Sequence, residues 1–406
     1  MNAKTNGVVC CAFLIVGNFS PVSNAQTLFI PASERVRPVL GGPEISIAAV
    51  GDLMLGSWVT PVLEQNGATY PYQKTTPYLE SADLAIANLE APFTLDGELF
   101  EKKFNFKVPP KFASGLPQGG IDVVTLANNH TMDYGETGLI STFETLDRVS
   151  IHYSGAGQNK QQAHQPVVVE AQGRRIAFFG YSMTFPTEFY AGDDSAGTAY
   201  PEPDLMAANI SMWDDSVDFV VASFHWGAEK RETPKDYQIT FAHLAIDSGA
   251  DLVLGHHPHV LQGLEVYKNR LIAYSLGNYV FGSYSKHSVD SIILKVILRD
   301  DGLFYARCVA INVDNRQVEF QPEVVSGARQ QVILSKLREL SAPLNQGTVI
   351  IDDSGLIWGD WVQFYEAWLL HTSVNSFWNV LLPDEIWPVR GLGQQTVSKS
   401  VPSSAN

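Results

Sequence analysis

The sequence predicts an α/β fold with a layered core, and two observations support this prediction. Between residues 44 and 325, short apolar runs rich in β-branched side chains recur, and each stops abruptly at a polar residue. Such runs are typical of strands that are buried on both faces of a sheet. Stretches with helical spacing, for example residues 138–149 and 234–248, separate several of the runs. Alternating strands and helices favour an α/β architecture.

The polar residues at the ends of these runs are candidates for chemistry. In chain order the runs and their end residues are EISIAAV before Asp52, ADLAIAN before Glu90, IDVVTLA before Asn129 and His130, VDFVVASF before His225, and ADLVLG before His257 and His259. In open α/β sheets, ligands bind beyond the carboxyl ends of the strands. We therefore expect these side chains to meet along one edge of the sheet.

Three further strand candidates follow one another directly, without helical stretches between them. They cover residues 291–300, 302–313 and 317–325, and turn-forming Asp, Asn and Gly residues separate them. This pattern predicts a β-meander that completes or flanks the sheet.

The two ends of the chain differ in composition from the middle. Residues 1–25 combine one lysine with an apolar run of about 11 residues, which predicts a secretory signal peptide and a secreted or cell-envelope location. An uncleaved or lipid-linked anchor is the alternative. Residues 26–43 are predicted to form a linker, residues 326–393 a small, Trp-rich helical extension, and residues 394–406 a disordered tail.

The charge and cysteine content narrow the classes of partner and site. The formal net charge is −16, which repels a phosphate backbone and argues against nucleic-acid binding. Two of the three cysteines lie in the predicted signal peptide. The remaining one, Cys308, can form neither an internal disulfide nor a cysteine-based metal site.

Histidines and carboxylates at the strand ends indicate a metal site. His257 and His259 follow a strand directly, and a spacing of two residues places both imidazoles on one side of an extended segment. His256 is expected to point away from them. The remaining candidate ligands, which also lie at strand ends, are Asp52, Glu90, Asn129 and His225. Oxygen and nitrogen ligands without sulfur suit one or two divalent ions, with Mn, Fe, Zn and Mg all open.

The segment from Asn128 to Asp133 provides a second signal. The Asn129 carbonyl can ligate a cation, and the adjacent His130 can act as a general acid or donate to an oxyanion. Asp133 is the candidate for orienting the other nitrogen of His130. A turn or a helix N-cap is the alternative role for Asp133.

Seven motifs resemble the CapA family, which comprises bacterial proteins associated with poly-γ-glutamate capsule synthesis. In chain order they are GDLMLG (51–56), ANLE (87–90), ANNHTMDYGETGL (127–139), GAG (155–157), HWGAE (225–229), DSGADLVLGHHPHVLQG (247–263) and YSLGNYVF (274–281). The resemblance covers residues 44–325.

The CapA family is itself similar to the calcineurin-like metallophosphoesterases. This resemblance implies a layered β-sandwich flanked by helices, with a two-metal site at strand ends. It implies these metal ligands: Asp52 on the first ion, Glu90 between the two, Asn129 on the second, and His225, His257 and His259 completing the set. His130 would act on the transition state.

Two residues depart from the phosphoesterase pattern. Met54 stands where the first motif usually has histidine, and Glu90 stands where the bridging residue is usually aspartate. A missing ligand would leave one metal weakly held, so the pattern does not by itself imply two-metal hydrolysis.

Three functions remain open from the sequence. The first is a cell-envelope protein for biosynthesis or export of an anionic polymer such as poly-γ-glutamate, with membrane-bound polymer synthase subunits as partners and a phosphorylated intermediate as another possible ligand. The second is a secreted metal-dependent hydrolase of phosphoesters or of the polymer amide bond. The third is a binding module without catalysis. In an acidic protein, bound metal ions are the expected contact for an anion.

Overall fold

The computed structural model describes residues 44–300 and 302–359. The predicted signal peptide, linker and tail, and most of the Trp-rich stretch, lie outside these residues. No helix within the described ranges is both long enough and apolar enough to cross a membrane.

The strands in the described part of the chain are numbered in chain order. They are β1 (Ile45–Met54), β2 (Leu84–Leu89), β3 (Val123–Thr125), β4 (His152–Ser154), β5 (Ala156–Gly157), β6 (Val167–Ala171), β7 (Arg174–Ser182), β8 (Gly197–Thr198), β9 (Phe219–His225), β10 (Leu252–His256), β11 (Leu264–Tyr267), β12 (Arg270–Ala273), β13 (Asn278–Phe281), β14 (Asp290–Arg299), β15 (Gly302–Asn312), β16 (Glu323–Val324) and β17 (Leu356–Trp358).

The helices of the same part of the chain are numbered likewise. They are α1 (Val59–Asn66), α2 (Thr76–Leu79), α3 (Gly115–Gln118), α4 (Gly135–Arg148), α5 (Lys160–Ala163), α6 (Pro203–Asp214), α7 (Asp236–Asp247), α8 (Asn315–Val318) and α9 (Gly327–Ser341).

Two sheets stack face to face and helices cover their outer faces, which confirms the predicted layered β-sandwich. The first sheet has the order β16-β15-β14-β1-β2-β3-β4, with β13 beside β1 and β17 beside β15, and the second has the order β11-β12-β10-β9-β7-β6. Apolar side chains from both sheets, such as Ile47 and Val221, share the central core. Helix α4 contributes Leu139 to the outer core of the first sheet, and α7 contributes Ala245 to that of the second.

The strands that carry the candidate site run parallel to one another. In the first sheet β1 pairs in parallel with β2 and with β13, and in the second sheet β9 pairs in parallel with β10. The carboxyl ends of these strands therefore lie at one edge of the sandwich, as the sequence predicts. The predicted helices are found as α4 and α7.

The prediction of a three-stranded meander is wrong in its third member. Strands β14 and β15 pair antiparallel as expected, but residues 315–318 form helix α8 and only Glu323–Val324 pairs with β15. The Asp314 side chain accepts a hydrogen bond from the Arg316 backbone N–H at 3.2 Å and so caps the helix. Pro322, which has no backbone N–H, delays pairing until the next residue.

The residues after 325 contribute to the main sandwich. Three side chains of α9, Ile333, Leu334 and Leu337, are buried in the central core between the sheets. Strand β17 extends the first sheet antiparallel to β15.

Candidate metal centre

The two sheets bring their chemically active side chains together at the shared carboxyl edge. Asp52 lies near the end of β1, Glu90 directly follows β2, His225 ends β9, and His257 and His259 follow β10. All of these side chains are buried apart from that of His259, which is 14% exposed. Residues separated by up to 207 positions in the chain thus form one cluster.

Glu90 is the centre of this cluster because two groups of candidate ligands share it. One group consists of Asp52, Glu90 and His259, and the other of Glu90, His225 and His257. Within each group, one ligand atom from every residue lies within 4.8 Å of the others. This is the arrangement expected of a carboxylate placed between two cations.

The candidate ligand atoms are spaced as ligands of a shared divalent cation rather than as hydrogen-bond partners of one another. Glu90 Oε1 lies 3.6 Å from His225 Nε2 and 3.8 Å from His259 Nε2, which is too far for a hydrogen bond. Ligands bound to the same ion at about 2.1 Å stand roughly 3–4 Å apart. Among the described residues, Glu90 Oε1 and His257 Nδ1 are buried without a hydrogen-bond partner. Bound cations would satisfy such atoms, whose isolation is otherwise unfavourable.

Asn88 connects the two halves of the cluster, and the sequence analysis missed it. Its Nδ2 donates to Asp52 Oδ1 at 2.8 Å and lies 3.2 Å from His225 Nδ1. Its Oδ1 accepts from Asn128 Nδ2 at 3.1 Å. The ANLE motif contains this residue, but an amide inside a buried strand gives no pattern that separates a site role from a structural one.

Asn129 is placed as predicted, next to a candidate ligand from the other sheet. Its Oδ1 lies 2.7 Å from His225 Nε2. The neighbouring Asn128 fixes the turn, since its Oδ1 accepts from the His130 backbone N–H at 3.0 Å. The amide oxygen of Asn129 therefore faces the Glu90–His225–His257 group.

The backbone at His257 and His259 is not extended, contrary to the prediction. Both residues have positive φ, 93° and 57°, so the strand period does not govern where their rings point. His259 Nδ1 instead lies 2.9 Å from Asp52 Oδ2 and 3.0 Å from Asn278 Oδ1. The backbone N–H of His257 donates to the same Asp52 oxygen at 3.2 Å.

The expectation that His256 points away from the site is also wrong. Its Nδ1 lies 3.6 Å from Asp52 Oδ1. Neither ring nitrogen has a hydrogen-bond partner within the described ranges, although both are buried. The sharp change in backbone direction after β10 allows His256 and His259 to approach Asp52 from two sides.

Burial and neighbouring charges shift the pKa values of the cluster residues in different directions. Burial, together with the neighbouring Asp52, holds the pKa of Glu90 well above its usual value. Burial lowers the pKa of His225 strongly, and burial with the adjacent His259 lowers the pKa of His257 to about 3. Burial opposes charging of His259 too, but Glu90 and Asp52 raise its pKa to about 9. His225 and His257 are therefore neutral at pH 7, as metal ligation requires, whereas His259 would have to release its proton to bind an ion.

Asp52 keeps its negative charge despite full burial. Burial alone would raise its pKa, but close contacts with His256 and His259 and the positive charge of the His259 ring hold the pKa well below the usual value. An ionised carboxylate in a buried pocket is a strong ligand for a hard or borderline cation.

His130 and Asp133 form the pair that the sequence suggests. His130 Nδ1 lies 2.8 Å from Asp133 Oδ2, whereas helix α4 begins after Tyr134 without a side-chain cap. Burial lowers the pKa of His130 although Asp133 opposes the shift. The ring belongs to the residue next to Asn129, at the edge of the cluster of candidate ligands.

Met54 is an apolar core residue and offers no imidazole ligand. It is fully buried in the apolar layer on the outer side of the first sheet. The histidine that the phosphoesterase pattern has at this position therefore has no counterpart in β1.

Comparison with known proteins identifies relatives over most of the chain. The family described as "Bacterial capsule synthesis protein PGA_cap" matches residues 46–283, which include every predicted site residue. "Capsule biosynthesis protein CapA" of Bacillus anthracis is 31% identical over 310 residues, 74% of this chain and 74% of that protein. "PGA biosynthesis protein CapA" of Bacillus subtilis (strain 168) is 30% identical over 296 residues, 72% of this chain and 77% of that protein.

Solved structures show a more distant similarity. Calcineurin-like phosphoesterase YfkN from Bacillus subtilis is 13% identical with a TM-score of 0.40, covering 74% of this chain and 97% of that chain. The 5'-nucleotidase precursor from Thermus thermophilus is 11% identical with a TM-score of 0.43, covering 69% of this chain and 56% of that chain. Overlaps of this size support no inference about activity.

Proposed function

The chain belongs to the family of bacterial capsule synthesis proteins PGA_cap, and from this premise we propose that it serves the biosynthesis or export of an anionic capsular polymer such as poly-γ-glutamate. The printed names of its relatives, capsule biosynthesis protein and PGA biosynthesis protein, support this choice of process. The proposed place of action is the cell envelope. Membrane-bound polymer synthase subunits are the proposed partners, and nucleic acid is not one.

The shared position of Glu90 is the observation that carries the proposed mechanism. We propose that Asp52 and His259 hold one divalent ion with Glu90, and that His225, His257 and Asn129 hold a second. Such ions supply concentrated positive charge and Lewis acidity. In a chain of net charge −16, this edge would then be where a carboxylate or phosphate group of the polymer or its precursor binds.

Hydrolysis by the same site is the second candidate function. The His130–Asp133 contact at 2.8 Å favours it, because a buried carboxylate that orients an imidazole is a common device of general acid–base catalysis. The imidazolium form of His130, with Nδ1–H held by Asp133, would give its Nε2 proton to the leaving group of a phosphoester or of the polymer amide bond. Binding of the polymer without cleavage does not require this pair.

The ligand assignment predicts different results for two histidines. His257→Ala removes a proposed ligand and should lower the metal content of purified protein from about two ions per chain to about one. His130→Ala removes no ligand and should leave the metal content unchanged. Elemental mass spectrometry after purification without chelator makes the comparison. Equal metal content in the parent and His257→Ala would contradict the assignment.

Polymer binding tests the proposed function directly. The full chain, loaded with Mn²⁺ or Zn²⁺, should bind fluorescently labelled poly-γ-glutamate, and chelation should weaken binding roughly 10- to 100-fold. Restoring the ion should restore the affinity measured by fluorescence anisotropy. Equal binding by loaded and chelated protein, or no binding by either, would overturn the proposal.

A parallel turnover assay separates the two candidate functions. The loaded chain is incubated with bis(p-nitrophenyl) phosphate and with poly-γ-glutamate, and nitrophenolate release and polymer length are followed. Cleavage that His130→Ala reduces supports the hydrolase. Binding without cleavage supports a role in polymer handling alone.

A further inference from the structure

A partly buried lysine from outside the predicted site contacts the segment that carries His130. Lys102 lies in the connection between β2 and β3, and its Nζ stands 2.5 Å from Asp133 Oδ1. The Asp133 side chain is fully buried and that of Lys102 is only 17% exposed. An ion pair this deeply buried has a substantial desolvation cost, so it is weak evidence for a purely stabilising role.

The connection that contains Lys102 supplies most of the partners of Asp133. The Phe106 backbone N–H donates to Asp133 Oδ2 at 2.6 Å, and the Phe100 N–H donates to the Asp133 backbone oxygen at 3.0 Å. Of the three groups that contact the carboxylate, only His130 belongs to the same segment as Asp133. The position of the carboxylate therefore depends on residues 100–106.

Lys102 also contacts the two residues that stand at the edge of the metal cluster. Its Nζ donates to the Asn129 backbone oxygen and lies 3.3 Å from His130 Nδ1. The Phe106 ring packs on the His130 ring with centroids 4.6 Å apart. The same short stretch of chain thus holds the imidazole, its carboxylate partner and the backbone of a proposed ligand.

We propose that Lys102 is a positioning residue for His130. By fixing Asp133 it keeps Nδ1 of His130 on the carboxylate and leaves Nε2 available to donate to a bound anion when the ring is protonated. The inference rests on the proposed function for what His130 acts on, but the position of the ring can be measured independently. A lysine that only stabilised the fold would not change the imidazole signal of a folded variant.

The test compares three variants of the full chain. Lys102→Met removes the charge and the donors, and Lys102→Arg keeps both. Lys103→Met is the matched control, because Lys103 is exposed and lies over the Phe104 ring. The measurement is the Nδ1–H proton resonance of His130 in ¹⁵N-histidine-labelled protein, assigned by its loss in His130→Gln. Thermal unfolding verifies that each variant is folded.

Lys102→Met should shift or abolish this resonance, Lys102→Arg should retain it, and Lys103→Met should leave it unchanged. Metal content should stay at the parent value in Lys102→Arg and in Lys103→Met, which both leave the contact with the Asn129 backbone a donor. Where the parent cleaves or binds a substrate, Lys102→Met should reduce that property roughly 10- to 100-fold. An unchanged resonance in folded Lys102→Met would overturn the inference. If Lys102→Met does not fold, Lys102→Gln, which keeps a donor without the charge, takes its place.

Failure of the proposed function gives a different result. In that case the parent binds no poly-γ-glutamate and cleaves neither substrate, while the resonance still reports whether Lys102 positions His130.

Discussion

Replacing Glu90 by glutamine is expected to abolish metal binding without destabilising the metal-free protein. Both proposed ions share this carboxylate, so its loss should lower the metal content from about two ions per chain to fewer than one. Elemental mass spectrometry of protein purified without chelator measures this. With the ion at 100 times its Kd, the parent should gain about 2.7 kcal/mol in free energy of unfolding, and the variant should gain none.

The metal-free variant should remain stable because the raised pKa of Glu90 makes the native side chain resemble a neutral amide. A glutamine side chain has nearly the size of the protonated carboxyl group and no charge, so it can occupy the same buried position, in which Oε1 has no hydrogen-bond partner. The glutamine oxygen can keep the weak contact that Asn88 Nδ2 makes with Oε2 at 3.4 Å. At a pH low enough to keep Glu90 protonated, we expect Glu90→Gln to change the free energy of unfolding, measured in chelator, by less than about 1 kcal/mol.

The pH dependence of stability in chelator provides an internal check on this reasoning. A carboxyl group with a raised folded-state pKa binds its proton more tightly in the folded state than in the unfolded state. The contribution of Glu90 to the free energy of unfolding therefore falls as the pH rises from the usual pKa of glutamate through the raised pKa of the folded state. Urea unfolding at pH 5 and pH 8 should show Glu90→Gln gaining stability relative to the parent at the higher pH.

Glu339→Gln is the matched control for the substitution of Glu90. Glu339 is an exposed residue of α9, so its substitution should change neither metal content nor the pH dependence. Retention of full metal content by Glu90→Gln would contradict the shared-carboxylate arrangement.

The positions of most site residues could be predicted because the fold imposes a simple rule on them. Buried parallel strands are apolar along their whole length, so the first polar side chain after each run marks the carboxyl edge of the sheet. Asp52, Glu90 and His225 were found by this rule, although β1 continues to Met54 and so includes Asp52. Only the order of the strands, which the sequence does not state, determines which edge residues meet.

Two further residues, His256 and Lys102, were missed because their contacts depend on the course of the backbone outside the regular strands and helices. The prediction for His256 assumed an extended backbone, whereas the positive φ of His257 and His259 turns the chain immediately after β10. Positive φ is uncommon outside glycine, and although histidine adopts it more often than most residues do, most histidines do not, so the sequence does not predict it here. Lys102 comes from an irregular connection, so neither strand nor helix spacing relates it to Asp133. Its role depends on tertiary contacts alone.

Substituting Gly51 by alanine is expected to cause a large loss of stability. Gly51 lies in β1, next to the segment that leads into β13. A Cβ atom at this position would stand 1.9 Å from the carbonyl oxygen of Gly277 and 2.7 Å from the carbonyl carbon of the same residue. The Cβ atom is fixed to the backbone of β1 and the atoms it would meet belong to the backbone of Gly277, so neither can move aside as a flexible side chain can. Asp52 N–H donates to the same Gly277 oxygen at 3.0 Å. The clash should therefore cost at least about 3 kcal/mol in free energy of unfolding, measured by urea denaturation in chelator.

The same substitution should disrupt the metal cluster, because separating the two strands moves Asp52 away from Asn278, its partner in the β1–β13 register. Gly67→Ala is the control for replacing a glycine without a clash. Gly67 ends α1 at φ 88°, and a Cβ atom there would have nothing within 4 Å. That variant should lose only about 1 kcal/mol from backbone strain and should keep its metal. Equal stability and metal content in the two variants would mean that the close approach of β1 to Gly277 is not what holds Asp52 in the cluster.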